Sequence, residues 1–396
     1  MEMFAPLSRS DQRDKGLTYL RGLLLDGRRK SMQPMAERLG VDHQGLQQFV
    51  SSSTWAVEPV RARLARRAIE VVAPDAWVVD DTGFPKDGAA SPGVARQYCG
   101  TLGKVANCQI GVSISAVTDA ASCPLDWRLF LPERWDDDSA ATPEQAAAIR
   151  ARRARAGVPD SVRHREKWRL ALDMLDELAG WQLAPPVVVA DAGYGDNAEF
   201  RDGLTARGRA YVVQVSGDLT AHAEDAVPQV TPYTGRGRRP LPRYRTAPAG
   251  LRGHALAAGR DAVQQVTWRE GSRGPMTSHF LALRVRPAGR KSTARLAEDG
   301  SLPGVWLLAE WPPAEPEPTD YWLATLPADM PLPELVRLAK IRWRIEHDYR
   351  ECKTALGLDH FEGRTFTGWH RHVTLVTAAQ LFVTLVRTSP KAAAPA

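Results

Sequence analysis

Four carboxylates in this chain of 396 residues stand where they could do chemistry. Asp80 and Asp81 close the run Ala76-Trp-Val-Val-Asp-Asp-Thr82, and Asp191 closes Pro186-Val-Val-Val-Ala-Asp191. Glu346 lies within Arg342-Trp-Arg-Ile-Glu-His-Asp-Tyr-Arg-Glu-Cys-Lys353. Oxygen ligands with no histidine among them suit a hard divalent cation. Two Mg2+ ions held in this way can activate an attacking hydroxyl and stabilise a leaving oxygen in phosphodiester cleavage. Each acid also has a plainer reading. A strand-end Asp often serves as a turn former or helix cap, the Asp-Asp pair could repel at a surface, and Glu346 could be a structural salt bridge with Arg342, Arg350 and Lys353.

The elements that must hold these acids follow from periodicity. Both Asp runs are apolar and rich in Val, as buried strands are. Residues 342–353 contain neither Gly nor Pro, and their spacing predicts one helix over Leu332–Leu356. On it Ile341, Ile345, Tyr349, Cys352 and Leu356 form an apolar stripe, with Arg342, Glu346, Arg350 and Lys353 alongside. Glu351 falls about 140° around the helix from Glu346, beside Arg344 and His347, and reads as a surface salt bridge. His370 and His372 face different sides of a closing helix over residues 369–385, so they read as solvated or DNA-facing rather than as a metal pair.

Further strands are expected at 107–118, 125–131 and 210–215, with helices at 163–178 and 197–207 between the later ones. The order is βββαβαβ: an antiparallel meander followed by a parallel pair. Residues 31–50 have helix–turn–helix spacing around Gly40, which fits either a DNA-binding head or an ordinary helical bundle. Residues 217–320 are dense in Pro, Gly and Arg, with short β-type runs at 263–268, 279–285 and 305–310, as in an inserted β subdomain.

The net charge of +6 points to a nucleic-acid partner, with plain solvated surface charge as the alternative. The cysteines, Cys99, Cys108, Cys123 and Cys352, form no CxxC pair, which argues against a zinc finger or a disulfide framework. There is no apolar run long enough for a membrane span and no signal peptide, so a cytoplasmic protein working on the nucleoid is expected.

Several segments together resemble bacterial insertion-sequence transposases of the DDE superfamily, the group with a Y-R-E-K signature. They are Val-Val-Asp-Asp-Thr-Gly-Phe-Pro-Lys86, Val-Ala-Arg-Gln-Tyr-Cys-Gly-Thr-Leu-Gly103, Asn-Cys-Gln-Ile-Gly-Val112, Leu-Phe-Leu-Pro132, Val-Ala-Asp-Ala-Gly-Tyr-Gly195, Arg-Trp-Arg-Ile-Glu346 and Leu-Gly-Leu-Asp-His-Phe-Glu-Gly-Arg364. The resemblance implies a ribonuclease-H-like α/β core, a mixed five-stranded sheet with helices, carrying a β-rich insertion and an N-terminal helical DNA-binding domain. Its expected boundaries are 1–70 for the helical domain, 71–216 and 321–388 for the core, 217–320 for the insertion and 389–396 for a disordered tail.

It further implies Asp80, Asp191 and Glu346 as catalytic acids binding two Mg2+ ions (or Mn2+), with Asp81 as the second choice for the first acid. Arg342, Lys353, Arg350, Lys86 and Arg96 become DNA contacts. Ala339 stands where the signature has tyrosine. Trp322 either stacks on a base flipped from the DNA end or packs in the core. The implied activity is cleavage at terminal inverted repeats and joining of the 3′-hydroxyls to target DNA, by a homodimer on double-stranded DNA. A non-catalytic regulator and a ribonuclease-H-like nuclease without strand transfer are the alternatives.

Overall fold

The computed structural model describes residues 2–230, 232–237, 240, 242–271, 274–289, 296–297 and 299–389. The expected tail at 389–396 therefore lies, from 390 on, outside the described residues, as do parts of the 217–320 region. The chain divides into two compact units, Met1–Ala184 with Trp343–Ala396, and Pro185–Arg342.

The first unit opens with four helices: α1 (Ser10–Leu24), α2 (Met32–Leu39), α3 (His43–Ser51) and α4 (Glu58–Val72). Gly40 ends α2 in the left-handed conformation (φ 64°), where glycine carries no Cβ penalty. Asp42 then caps α3 by accepting from the Gln44 N–H at 3.0 Å. Next come β1 (Ala76–Pro85), β2 (Ala95–Cys99), β3 (Lys104–Val117) and β4 (Ser122–Leu129). β3 is central. β1 pairs antiparallel along one edge, while β4 and β2 share the other. The antiparallel meander is thus present, with one addition: β2 falls in the turn-rich stretch after β1, where only five residues pair. α5 (Pro143–Ala156) and α6 (Lys167–Gly180) follow.

The second unit begins with β5 (Val188–Ala190), α7 (Ala192–Gly195), α8 (Ala198–Ala206) and β6 (Tyr211–Val215). β5 and β6 are parallel, as a strand–helix–strand crossover requires. The inserted region supplies β7 (Thr220–Ala223), β8 (Ala249–Gly250), α9 (Leu251–Ala258), β9 (Gln264–Gly271), β10 (Gly274–Pro287) and β11 (Val305–Glu310). β12 (Asp320–Ala324) joins β11 to β6, both antiparallel. The unit ends with α10 (Leu332–Lys340), and the first unit resumes with α11 (Trp343–Leu356) and α12 (Phe366–Thr388).

The chain is thus mixed α/β. The order β1, β3, β4, α6, β5, α8, β6 is compatible with a ribonuclease-H-like core. The single helix expected over 332–356 is two helices, broken at Ile341–Arg342. There the Ile341 N–H bonds to Leu338 O, three residues back instead of four. Neither a glycine nor a proline marks this break.

α12 organises the first unit. It packs on β4, α4, α1, α3 and α11, and is buried on nearly every side from Gly368 to Leu381. His372 within it is fully buried, its Nδ1 2.9 Å from the Tyr19 hydroxyl and its Nε2 3.0 Å from Gly357 O. Burial pulls its pKa down to about 4. The Nδ1 of His370 is likewise buried. The solvated, DNA-facing reading of these histidines is thereby corrected, because helix periodicity does not reveal that both faces of α12 are covered.

Candidate active site

Strand alternation sorts the Asp-Asp pair. Side chains i and i+2 share a face, so Asp80 and Thr82 point one way and Asp81 the other. In register, Asp80 sits opposite Ser113 and Thr82 opposite Gly111. α11 and α12 cover this first face. The Tyr349 hydroxyl lies 2.6 Å from Ser113 Oγ, and Lys353 Nζ donates to Thr82 Oγ1 at 2.7 Å. Trp369 of α12 meets Phe84 edge-on at 5.6 Å above Gly111. A Cβ at Gly111 would stand 2.8 Å from Phe84 and 2.9 Å from Trp369, so only glycine lets these rings seat.

The opposite face belongs to α6. Lys167 Nζ donates to Asp81 Oδ2 at 2.7 Å, and Arg128 pairs with Glu177. Asp80 is nearly buried (6% exposed), and the Asp81 backbone N–H donates to its Oδ1 at 2.8 Å.

Along α11, Lys353 meets β1 at Thr82, and Tyr349, one turn earlier, meets β3 at the level of Asp80. Glu346 is one turn earlier again on the same stripe, three residues before Tyr349 and seven before Lys353. It is exposed and lies in the first turn of α11, where the helix macrodipole favours negative charge. Asp80 and Glu346 therefore stand on one side of the sheet, and Asp81 stands on the other.

Lys353 is nearly buried (9% exposed). Its ammonium also donates to Gly83 O at 2.7 Å and to Thr101 Oγ1 at 2.6 Å. Three N–H donors thus meet three acceptors, and burial lowers its pKa. This corrects the expected phosphate contact, because no donor is left over for one. Lys86 is also tied down, its Nζ 2.6 Å from Phe361 O, and burial lowers its pKa too. Arg350 and Arg96 are exposed, as DNA contacts would need to be.

In the second unit, Asp191 follows β5 and opens α7, its carbonyl accepting from Gly195 N at 2.7 Å. Gly195 is required here, since a Cβ would run into the Gln214 carbonyl of β6. Asp191 Oδ2 lies 3.9 Å from Arg342 Nη1, and Oδ1 is buried with no hydrogen-bond partner among the described residues. Arg342 therefore faces an acid in this structure, whereas a phosphate contact was expected. Trp322 is 4% exposed on β12, with Lys340 Nζ 5.0 Å above its ring and Glu310 paired to that lysine. A covered ring offers no face to a base, so core packing replaces the stacking role.

Glu351 pairs with Arg387, one contact at 2.9 Å, in keeping with its reading as a salt bridge. His347, Asp348 and Glu351 place ligand atoms within 4.8 Å of one another, a spacing that could hold a cation. Asp348 is already engaged by Arg344 at 3.0 Å, by His347 at 3.0 Å and by the Ser122 hydroxyl, which makes this an ion-pair cluster. Sequence reasoning missed Thr82, Thr101, Ser113 and Lys167 as partners of the site. Thr82 was within reach, since alternation alone puts it on the face of Asp80.

Residues 2–275 match the family model described as DDE superfamily endonuclease. Over 181 residues the chain is 26% identical to the "Probable transposase for insertion sequence element IS701" of Microchaete diplosiphon, covering 45% of this chain. The match spans 42% of that relative's length. Among the described residues, no helix is long and apolar enough to cross a membrane.

Proposed function

The chain belongs to the DDE superfamily of endonucleases, and from that premise we propose that it is a DNA transposase. In this reading it binds terminal inverted repeats, cleaves the ends and joins their 3′-hydroxyls to target DNA. It works in the bacterial cytoplasm as a homodimer holding two ends. The observation that carries the proposal is the seating of α11. Tyr349 and Lys353 fasten it to the sheet face of Asp80, so that Glu346 extends over the same side.

By the family resemblance, Asp80, Asp191 and Glu346 would hold two Mg2+ ions, or Mn2+ in their place. The residues fit such ions: all three donors are carboxylates, and Asp191 Oδ1 is a buried oxygen without a hydrogen-bond partner among the described residues. When bound, such ions supply Lewis-acid activation of the attacking hydroxyl and charge stabilisation at the leaving oxygen. Arg342 balances the Asp191 carboxylate, and Arg350 and Arg96 meet the DNA backbone from exposed positions. Asp81 keeps a structural role, paired with Lys167.

The test uses a labelled transposon end and a plasmid target with Mg2+ or Mn2+. Asp80→Asn, Asp191→Asn and Glu346→Gln should each abolish cleavage while end binding persists. Asp81→Asn and Glu351→Gln should still cut. Cleavage without joined products would favour a nuclease. Cutting by Glu346→Gln would remove that residue from the acid set.

A further inference from the structure

β2 and the start of β3 form a hairpin whose outer surface is apolar and basic. Tyr98 is 64% exposed, and its register partner Val105 and nearby Leu102 are also exposed. Exposed aromatic and aliphatic groups grouped in this way mark a contact surface more often than chance. Arg96 is two residues from Tyr98 on the same face of an edge strand, while Lys104, the register partner of Cys99, opens β3 on the other face. No Asp or Glu occurs between Asp87 and Asp119, so nothing acidic in this stretch opposes the two cations.

Register ties this surface to the candidate active site. Arg96 pairs with Asn107 on β3, and alternation along β3 places Asn107 on the face of Gln109, Gly111 and Ser113. That is the face of Thr82 and Asp80. The hairpin is also anchored there, since Thr101 donates to Gly83 O at 3.0 Å and accepts from Lys353. Its tip is thus held at a fixed height relative to β1.

We infer that this hairpin grips an unstacked stretch of DNA strand, with Tyr98 stacking on a base and Arg96 holding an adjoining phosphate. The inference rests on the transposase reading and adds to it a second, sequence-tolerant DNA contact. An exposed ring can take any base whose face is free, whereas the bases of an intact duplex are already stacked. The lack of acids selects a polyanion over a protein partner, which would be expected to find charges of both signs.

The experiment measures fluorescence anisotropy of the full chain, without divalent ions, on a labelled oligo-dT and on a blunt duplex. Tyr98→Ala should weaken oligo-dT binding by about 5- to 150-fold, the worth of one base stacked on a ring, and should leave duplex binding little changed. Tyr98→Phe should bind like the wild type. Arg96→Gln should lower the salt slope on oligo-dT by about 0.7, one phosphate contact. Wild-type affinity in Tyr98→Ala overturns the inference. So does unchanged DNA binding accompanied by a change in sedimentation, which would make the patch a protein contact. If the wild-type chain binds neither DNA, the transposase reading itself falls. If it binds DNA and Tyr98 is silent, only the hairpin assignment falls.

Discussion

Replacing Lys353 by methionine keeps the aliphatic stem and removes the ammonium that joins α11 to β1. The three hydrogen bonds it makes, at 2.6–2.7 Å, come from a charged donor. Bonds of that kind are worth roughly 1.5–3 kcal/mol each, and desolvation of a buried ammonium cancels most of the sum. Gly83 O keeps one donor, the Thr101 hydroxyl at 3.0 Å, and the freed threonine hydroxyls can turn to new partners. The net loss of stability should be about 2 kcal/mol.

The loss of rate should be larger. Without the clamp α11 keeps its contact at Ser113 through Tyr349 but loses the one at Thr82, so it can slide along β1, and a shift of about 1 Å in a catalytic group can cost roughly 100-fold. Denaturant unfolding reads the first effect, and single-turnover cleavage of a labelled end at saturating metal reads the second, with end affinity unchanged. A Lys353→Met protein of normal stability and normal rate would refute the clamp. Normal stability with weaker end binding and a salt slope reduced by about 0.9 would instead return Lys353 to a DNA phosphate.

Other consequences can be checked more briefly. Trp322→Ala should destabilise the chain by about 3–5 kcal/mol, as deletion of a buried tryptophan does, and should leave base-specific DNA contacts intact. Unfolding curves and end-binding titrations test this together, and a stable variant with impaired DNA binding would restore the stacking role. His372 has a folded pKa of about 4, below its ordinary 6.5, because it is buried. Between those values the unfolded chain binds the extra proton, so this contribution to stability is lost as pH falls from 6.5 toward 4. From pH 7 to pH 5 the loss should be about 2 kcal/mol. His372→Gln, which can hydrogen-bond but does not titrate there, should lack that part of the pH dependence; an unchanged profile would refute it.

Much of this was legible in the residues, and the remainder has identifiable causes. The apolar runs that end in Asp80 and Asp191 declared themselves as strands, and alternation alone implied that Asp80 and Asp81 face opposite ways. Asp80 is proposed over Asp81 on the ground of which helix covers which face, and that depends on pairing between Lys353 and Thr82, 271 residues apart in the chain. Lys353 read as a DNA-phosphate contact because helix periodicity shows which residues share a stripe, not whether that stripe meets DNA or a sheet. Trp322 was open for the same reason, since burial of its ring depends on Lys340 and Glu310 arriving from two other elements. The break at Ile341–Arg342 left no trace because no residue there forbids a helix.

The burial of α12 also bears on the order in which this protein can be built. α1, α3, α4 and β4 all complete their packing against residues 366–388, which leave the ribosome after the whole 185–342 unit. The early helices and the Asp80 face therefore wait, partly uncovered, through most of synthesis. A chain cut short before α11 has Asp80 but neither Glu346 nor the cover over Phe84 and Trp127. Premature termination should thus yield a sticky, proteolysis-prone fragment with no capacity to nick DNA, and completion of translation becomes the gate on catalytic competence.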